Sequence, residues 1–223
     1  MRIDIWSDFT CPWCYIGKMN LDKVLREEHI QDVFVYHRFQ TVPAGYYPKG
    51  VPFSIFEVAE KEGMTEWQAL QKAELIERMG KEAGLILNMK DVKMTDTTHA
   101  HRLLHLAQKY GWQDKFMMQS YHEIFVEGTD IGKPEALQRI AAYAGIPEEE
   151  TETLLETDEY LEQVRRDRVD MRGKYITGVP YFVFPDGENL CGVQPVEVFR
   201  QAIRKIHGDS EVMGAVCSNS VCG

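Results

Sequence analysis

Two cysteines separated by two residues, Cys11 and Cys14, stand at the start of the first predicted helix, and this spacing constrains the fold more than any other feature. Ahead of them, apolar residues at positions 3, 5 and 6 interleave with polar ones in the period-two pattern of a strand. Behind them, apolar residues recur at helical spacing from Ile16 to Leu25. The pattern predicts a strand, a short turn and a helix whose first turn carries both sulfurs.

Cys11 is predicted to be the reactive cysteine because it would stand at the N-terminus of that helix. Unpaired N–H groups and the positive end of the helix dipole stabilise a thiolate, which can lower a thiol pKa from about 8.5 into the range of roughly 3.5–7.5. Cys14, one turn deeper, could then close a disulfide and release a bound substrate. The alternatives are a structural disulfide or half of a zinc site, and the second lacks a further well-spaced cysteine pair on a rigid element.

Composition and charge narrow the class of protein. The 223 residues suit one enlarged domain or a domain with a large insertion, and 44% hydrophobic with 27% charged residues is typical of a globular protein. No apolar run is long enough for a membrane span, and a formal net charge of −10 argues against nucleic acid as a partner. The first predicted strand begins at the N-terminus with no visible signal peptide, so we expect a cytoplasmic protein. Structural disulfides are rare in the cytoplasm, so the five cysteines are expected to serve catalysis, redox sensing or metal binding.

The remaining periodicities complete a topology. A second strand is predicted within 32–40, a Pro/Gly-rich loop over 41–52, and a hairpin around the Pro185–Gly187 turn, followed by a closing helix from Val198 to Ile206. Between them lie helical patterns, which include one opened by a Thr65/Gln68 capping box and others over 100–110, 116–125, 134–144 and 158–172. The order β-α-β, helices, β-β-α predicts an α/β thioredoxin fold with a large helical domain inserted in the middle. Its parts are 1–53 with 174–207, the insertion 54–173, and a flexible tail 208–223.

Five segments in this order are Asp8–Gly17, Ala100–Leu103, Gly128–Ile131, Gly178–Phe182 and Gly192–Pro195. Together they resemble the DsbA-like thioredoxin superfamily, and most closely its cytoplasmic FrnE-type oxidoreductases. The resemblance implies a thiol–disulfide oxidoreductase or isomerase that acts on protein or small-molecule disulfides. It implies no cofactor beyond the redox-active disulfide, glutathione or thioredoxin as a candidate electron partner, and homodimers among relatives.

The resemblance also assigns roles around the cysteine pair. Val179–Pro180 would be a cis peptide beside the cysteines, with the Val179 backbone pairing with an extended substrate, and a trans proline opening an edge strand is the alternative. Pro12 removes an N–H near the thiolate and Trp13 adds an uncharged apolar face, so we expect a weaker oxidant than the periplasmic DsbA enzymes. Asp8 could shuttle a proton to Cys14, although ordering the loop or capping the helix is the favoured interpretation.

Other sulfur and imidazole groups give weaker signals. Cys217 and Cys222 form a C-x4-C in the tail, as in some FrnE-type proteins, and are predicted as a second redox pair, with incidental thiols as the alternative. Cys191 is expected to be a free, small, buried apolar residue. His101 and His105 are four residues apart and could face one metal ion, but packed or surface histidines are favoured and we expect no metal.

Two other functions stay open at this point. Kappa-class glutathione transferases and 2-hydroxychromene-2-carboxylate isomerases share the fold and the insertion, but they use a serine in place of the first cysteine to activate glutathione. A redox sensor or binding module with little turnover is the second alternative. The presence of both Cys11 and Cys14 favours redox cycling over either.

Overall fold

The computed structural model describes residues 2–30, 33–38 and 51–207. The described strands are β1 Arg2–Ser7, β2 Val33–Arg38, β3 Phe53–Ser54, β4 Lys93–Met94, β5 Tyr181–Val183 and β6 Asn189–Cys191. The described α-helices are α1 Pro12–Glu27, α2 Ile55–Lys61, α3 Glu66–Glu82, α4 Thr98–Lys109, α5 Gln113–Phe125, α6 Pro134–Ala144, α7 Glu148–Glu156, α8 Leu161–Gly173 and α9 Val196–His207.

The main sheet has four strands in the order β2-β1-β5-β6, with β1 parallel to β2 and antiparallel to β5. Strand β1 is central, and Ile5 lies opposite Tyr36 on one side and Phe182 on the other. Consecutive side chains at its end, Trp6 and Ser7, are both buried, as expected of a strand covered on both faces. The predicted order β-α-β, helices, β-β-α is confirmed.

Helices α1 and α9 pack side by side and hold the two halves of the sheet region together. Phe199 of α9 meets Phe182 of β5 edge-on, with ring centroids 5.0 Å apart. Arg200 of α9 forms ion pairs with two glutamates at the C-terminal end of α1. Its nitrogens lie 2.6 Å from Glu27 Oε2 and 2.9 Å from Glu28 Oε1. Through these contacts α9 links the C-terminal end of α1 to strand β5.

Helices α3 to α8 lie between β2 and β5 in the chain, and α4 is at their centre. The predicted apolar stripe of α4 is confirmed, since Ala100, Leu103, Leu104 and Ala107 are fully buried. Arg102 is also buried and donates to the carbonyl oxygens of Leu154 and Glu159, each at 2.6 Å. These bonds tie α4 to the last turn of α7 and to the loop that follows it.

Several sequence predictions need correction. Helices α2 and α7 and the β3–β4 ribbon were not predicted. Helix α8 begins at Leu161 rather than residue 158, because Tyr160 adopts a left-handed φ of 61° before it. The buried face of α3 carries Ala69, Ala73, Ile76 and Gly80, while Trp67 in its first turn is 67% exposed. The predicted loop over 41–52 falls mostly outside the described residues, and no described helix is long and apolar enough to cross a bilayer.

Candidate active site

The turn between β1 and α1 presents the two sulfurs at different depths. Cys11 is the N-cap of α1 in an extended conformation, and Pro12 occupies the first helical position, where its missing N–H costs nothing. The Cys11 N–H donates to the Asp8 carbonyl oxygen at 3.2 Å, which fixes the turn. Both cysteines are free thiols, Cys11 half-buried and Cys14 buried. An accessible first sulfur with a sheltered second one behind it is the arrangement that attack followed by resolution requires.

The loop before β5 lies against the first sulfur. The Val179–Pro180 peptide is cis, and the Cys11 thiol donates to the Val179 carbonyl oxygen with a separation of 3.8 Å. The Pro180 carbonyl oxygen accepts the Gly192 N–H at 2.8 Å. Gly17 permits this approach of α1, since a Cβ there would lie 3.3 Å from both Pro180 Cγ and Phe182 Cζ. The structure therefore brings Cys11, Val179 and Pro180 together, although they are far apart in the chain.

The electrostatics of Cys11 differ from the expectation based on the helix N-terminus. The hydrogen bond with Cys14 is the largest of several causes that raise the pKa of the Cys11 thiol well above its ordinary value, followed by burial. The charge of Cys14 and that of Asp8 act in the same direction, while the Cys14 N–H at the start of the helix acts to lower the pKa. The predicted lowering of the Cys11 pKa is therefore wrong for the dithiol, because the neighbouring thiol and burial outweigh the helix N-terminus.

A buried polar cluster lies beneath the cysteine pair. Asp8 is 1% exposed, and its Oδ1 accepts the Thr10 N–H at 3.3 Å, so this side chain does order the turn. The same Oδ1 lies 3.3 Å from Nε2 of the fully buried His101. Tyr121 contacts the Ser7 hydroxyl and donates to the Asp8 carbonyl oxygen at 3.4 Å. Burial, and then the charge of Cys14, raise the pKa of Tyr121, so its hydroxyl stays a donor.

Aromatic rings of the inserted helices support this turn from below. Phe9 is fully buried and meets His101 edge-on at 4.8 Å and Phe116 at 6.1 Å between centroids. Tyr15 of α1 stacks on Tyr121 of α5 at 5.2 Å. Helices α4 and α5 therefore form the floor of the site, and the turn that carries the cysteines is packed against the insertion.

A cavity of about 330 Å³ opens beside Cys11, Pro12, Trp13 and Val179. Its far wall comes from α2, α3 and β4, and the apolar side chains there include Ile55, Val58, Met64, Ile76, Met89 and Met94. Glu62 and Lys72 are the charged residues of the lining. These lining residues could not be recognised from the sequence. They lie 40 or more positions from the cysteine motif and carry no motif of their own.

The remaining predicted groups are placed as follows. His101 and His105 do not share a site, because His105 Nε2 lies 3.1 Å from Asp167 Oδ2 while His101 faces Asp8. In the described part of the chain no three His, Cys, Asp or Glu side chains converge as metal ligands would. Cys191 is disulfide-bonded, so its prediction as a free thiol is wrong. Cys217 and Cys222 lie outside the described residues.

The fold and the sequence are similar to those of several known proteins. A crystal structure of a probable DsbA oxidoreductase from Streptomyces coelicolor matches with a TM-score of 0.84 and 29% identity, over 100% of this chain and 96% of the other. The uncharacterized protein YwbO of Bacillus subtilis is 23% identical over 91% of this chain and 96% of its own. The cytosolic disulfide reductase DsbM from Pseudomonas aeruginosa shares the fold, with a TM-score of 0.60 and 16% identity over 94% of this chain and all of its own.

The family model described as a DSBA-like thioredoxin domain matches residues 2–204, which includes the cysteine pair, the inserted helices and the loop of Pro180. Its extent agrees with the sheet order and with the helices inserted between β2 and β5. The chain therefore belongs to the family of DSBA-like thioredoxin domains.

Proposed function

We propose that this protein is a thiol–disulfide oxidoreductase that works through Cys11 and Cys14. The observation that carries the proposal is the pair of free thiols in the first turn of α1, with the half-buried Cys11 sulfur 3.8 Å from the Val179 carbonyl oxygen. Membership of the DSBA-like family supports an oxidoreductase role, and the resemblance to FrnE-type proteins supports a cytoplasmic one.

The proposed reaction transfers two electrons from the cysteine pair to a substrate disulfide. The Cys11 thiolate attacks one substrate sulfur, a mixed disulfide forms, and the other substrate sulfur leaves and takes up a proton. Cys14 then loses its proton and attacks Cys11 Sγ, the Cys11–Cys14 disulfide forms, and the second substrate thiol is released. An external thiol of the glutathione or thioredoxin class returns the pair to the dithiol state. Isomerisation needs only the first step and its reversal.

Reduction of substrate disulfides is the direction that the electrostatics favour. A strongly oxidising pair is one whose reduced form is stabilised, as happens when a thiolate forms easily. Here the neighbouring thiol and burial raise the pKa of Cys11, so the reduced form gains no such stabilisation. The disulfide form is then relatively more stable, and electrons pass more readily to the substrate. DsbM, a neighbour of the same fold, is named a cytosolic disulfide reductase.

A polypeptide substrate fits the surroundings of Cys11. The Val179 backbone beside the sulfur can pair with an extended segment, as the resemblance implies. The apolar cavity next to it would accept an apolar side chain close to the substrate cysteine, and three methionines in its lining let it adapt to different shapes.

Insulin reduction tests the proposal. Wild-type protein with glutathione as electron donor should reduce insulin over many turnovers, Cys11→Ser should be inactive, and Cys14→Ser should stop at a mixed disulfide. Gly173→Ala, a substitution outside the pair at a glycine where a Cβ would have no heavy atom within 4 Å, should keep the wild-type rate. An equally active Cys11→Ser variant would contradict the proposal.

Glutathione conjugation separates the alternative enzyme class. Transferases and isomerases of this fold activate glutathione with a serine where this chain has Cys11, and a conjugating enzyme has no need of the second thiol at Cys14. We therefore expect no conjugation of an electrophilic aromatic substrate above the uncatalysed rate. Conjugation without insulin reduction would favour the transferase, and a single turnover without cycling would favour a sensor.

A further inference from the structure

A fully buried histidine faces the buried carboxylate beneath the cysteine pair. His101 of α4 is 93 positions from Asp8, and its Nε2 lies 3.3 Å from Asp8 Oδ1, with both side chains at most 1% exposed. Asp8 orders the turn by accepting the Thr10 N–H on its carboxylate and the Cys11 N–H on its carbonyl oxygen. Neither bond requires a histidine beside the carboxylate. The imidazole packs against Phe9, and the polar contact that it adds is to the Asp8 carboxylate.

The geometry fixes where protons sit in this pair. Nε2 is the ring nitrogen that faces the carboxylate, so a neutral imidazole carries its proton there and donates it to Asp8. Nδ1 is buried and has no hydrogen-bond partner among the described residues. A donor on that nitrogen would be left unsatisfied, so Nε2 is the ring nitrogen that donates.

The pair lies next to groups that must exchange a proton during the reaction. The titratable groups around it in the described elements are Cys11 and Cys14 of α1 and Tyr121 of α5. The charge of Asp8 acts on both Cys11 and Tyr121, which places the carboxylate within electrostatic reach of these two groups. Tyr121 keeps its proton because it is buried, and this leaves Asp8 as the acceptor in the cluster.

We propose that His101 is a positioning residue for the resolving step, and that it keeps Asp8 ionised as the proton acceptor for Cys14. When Cys14 attacks the mixed disulfide, its proton passes to the Asp8 carboxylate, the Cys14–Cys11 bond forms, and the bond from Cys11 to the substrate sulfur breaks. The donated Nε2–H offsets the cost of holding a carboxylate in a buried site. This inference rests on the proposed function and adds a second role to a side chain that also orders the turn.

Quenched-flow mass spectrometry with glutathione disulfide separates the two chemical steps. Samples of reduced protein are quenched with acid at increasing times, and the dithiol, the glutathione mixed disulfide and the internal disulfide are counted. His101→Leu should form the mixed disulfide at nearly the wild-type rate but resolve it at least about tenfold more slowly. The expected loss is smaller than the roughly hundredfold or more that removal of a general base itself costs, because His101 acts through Asp8. The mixed disulfide should therefore accumulate in this variant.

The pH dependence distinguishes positioning from a packing role. Resolution should speed up with rising pH as Asp8 ionises, and in His101→Leu this rise should move to higher pH because the carboxylate has lost a donor. His101→Gln can still donate an N–H and should behave more like the wild type. Asp8→Asn retains an oxygen that can accept from Thr10 and His101, but it cannot take a proton. The rise due to Asp8 should therefore disappear, and only the rise at higher pH from ionisation of the Cys14 thiol itself should remain, while the fold survives.

Failure of the proposed function and failure of the inference about His101 give different results. If Cys14→Ala never forms a glutathione adduct on Cys11, the proposed function fails. If adducts form and His101→Leu resolves them at the wild-type rate with an unshifted pH dependence, the inference about His101 is overturned and the proposed function stands. Should His101→Leu not fold, an Asp8→Asn variant with wild-type resolution at every pH would overturn the inference equally.

Discussion

Two opposing influences act on the Cys11 sulfur. The start of α1 brings the Cys14 N–H close to it and acts to lower the thiol pKa, while the Cys14 side chain, burial and the Asp8 charge raise it. The net effect is a raised pKa of the Cys11 thiol, so in the dithiol protein the attacking thiolate is scarce at neutral pH. Attack on a disulfide should then become faster as pH rises towards the raised pKa.

Alkylation of Cys11 by iodoacetamide measures this directly. In the reduced protein, the rate should keep rising through the ordinary thiol pKa of about 8.5 instead of levelling off below neutrality. Cys14→Ala removes the largest cause of the raised pKa, so its profile should move to lower pH. Cys14→Ser, which keeps a hydroxyl beside Cys11, serves as the matched control. A wild-type plateau below pH 7 would show that the helix N-terminus dominates.

The limits of sequence-based inference at this scale are physical. Strand–turn–helix periodicity and the spacing of Cys11 and Cys14 place both sulfurs, and the resemblance adds Val179 and Pro180. The contact of His101 with Asp8 spans 93 positions and depends on how α4 packs under the turn. The net direction of the Cys11 pKa depends on burial, which a sequence does not display.

Helix α1 and strand β5 meet at a glycine, and this contact sets the distance between Cys11 and the loop of Pro180. A Cβ at Gly17 would come within 3.3 Å of Pro180 Cγ and Phe182 Cζ, so the loop would have to shift. Gly17→Ala should therefore destabilise the protein by about 1–3 kcal/mol, as expected of overpacking, and slow the reduction of insulin.

Denaturant unfolding and the insulin assay together check this expectation. Gly173→Ala is the matched control, because a Cβ at that helical glycine would have no heavy atom within 4 Å, and it should be neutral or slightly stabilising. Equal stability and activity for Gly17→Ala and Gly173→Ala would mean that close approach of α1 is unimportant.

Short elements were harder to predict than long ones. The Thr65/Gln68 capping box that opens the 17-residue helix α3 was recognised, and the structure confirms it. Ser54 and Glu57 form the same motif before α2, but α2 has only seven residues and too little periodicity to be seen. Helix α7 buries only Thr151 and Leu154, so it has no apolar stripe, and its acidic first turn is the one readable signal.

At the scale of the whole molecule, the sheet and the inserted helices share one core beneath the cysteine pair. The reduction potential of the pair therefore depends on both parts of the protein. A raised Cys11 pKa and an uncharged Trp13 both fail to stabilise the reduced form. Equilibration with glutathione buffers should therefore give a reduction potential well below about −120 mV, the value of the oxidant DsbA. A potential near that value would contradict the assignment as a reductase.

The C-terminal cysteines add a second whole-molecule question. Cys191 lies beside Tyr181 in the sheet, one strand from the loop of Pro180, and is disulfide-bonded. We expect a Cys217→Ser/Cys222→Ser double variant to keep the Cys11 alkylation rate but to lose turnover with glutathione as donor. A Ser218→Ala/Ser220→Ala variant in the same segment is the control, and undiminished turnover in the cysteine variant would exclude a relay.

Trapping of mixed disulfides by a Cys14→Ala variant tests most directly whether Cys11 is the attacking sulfur. After expression in cells and acid quenching, this variant should carry disulfide-linked proteins or glutathione on Cys11 that a reductant releases. The Cys11→Ala/Cys14→Ala double variant should lose these partners and keep only adducts that map to the C-terminal cysteines. An unmodified Cys11, or the same set of trapped partners in the double variant, would contradict the account.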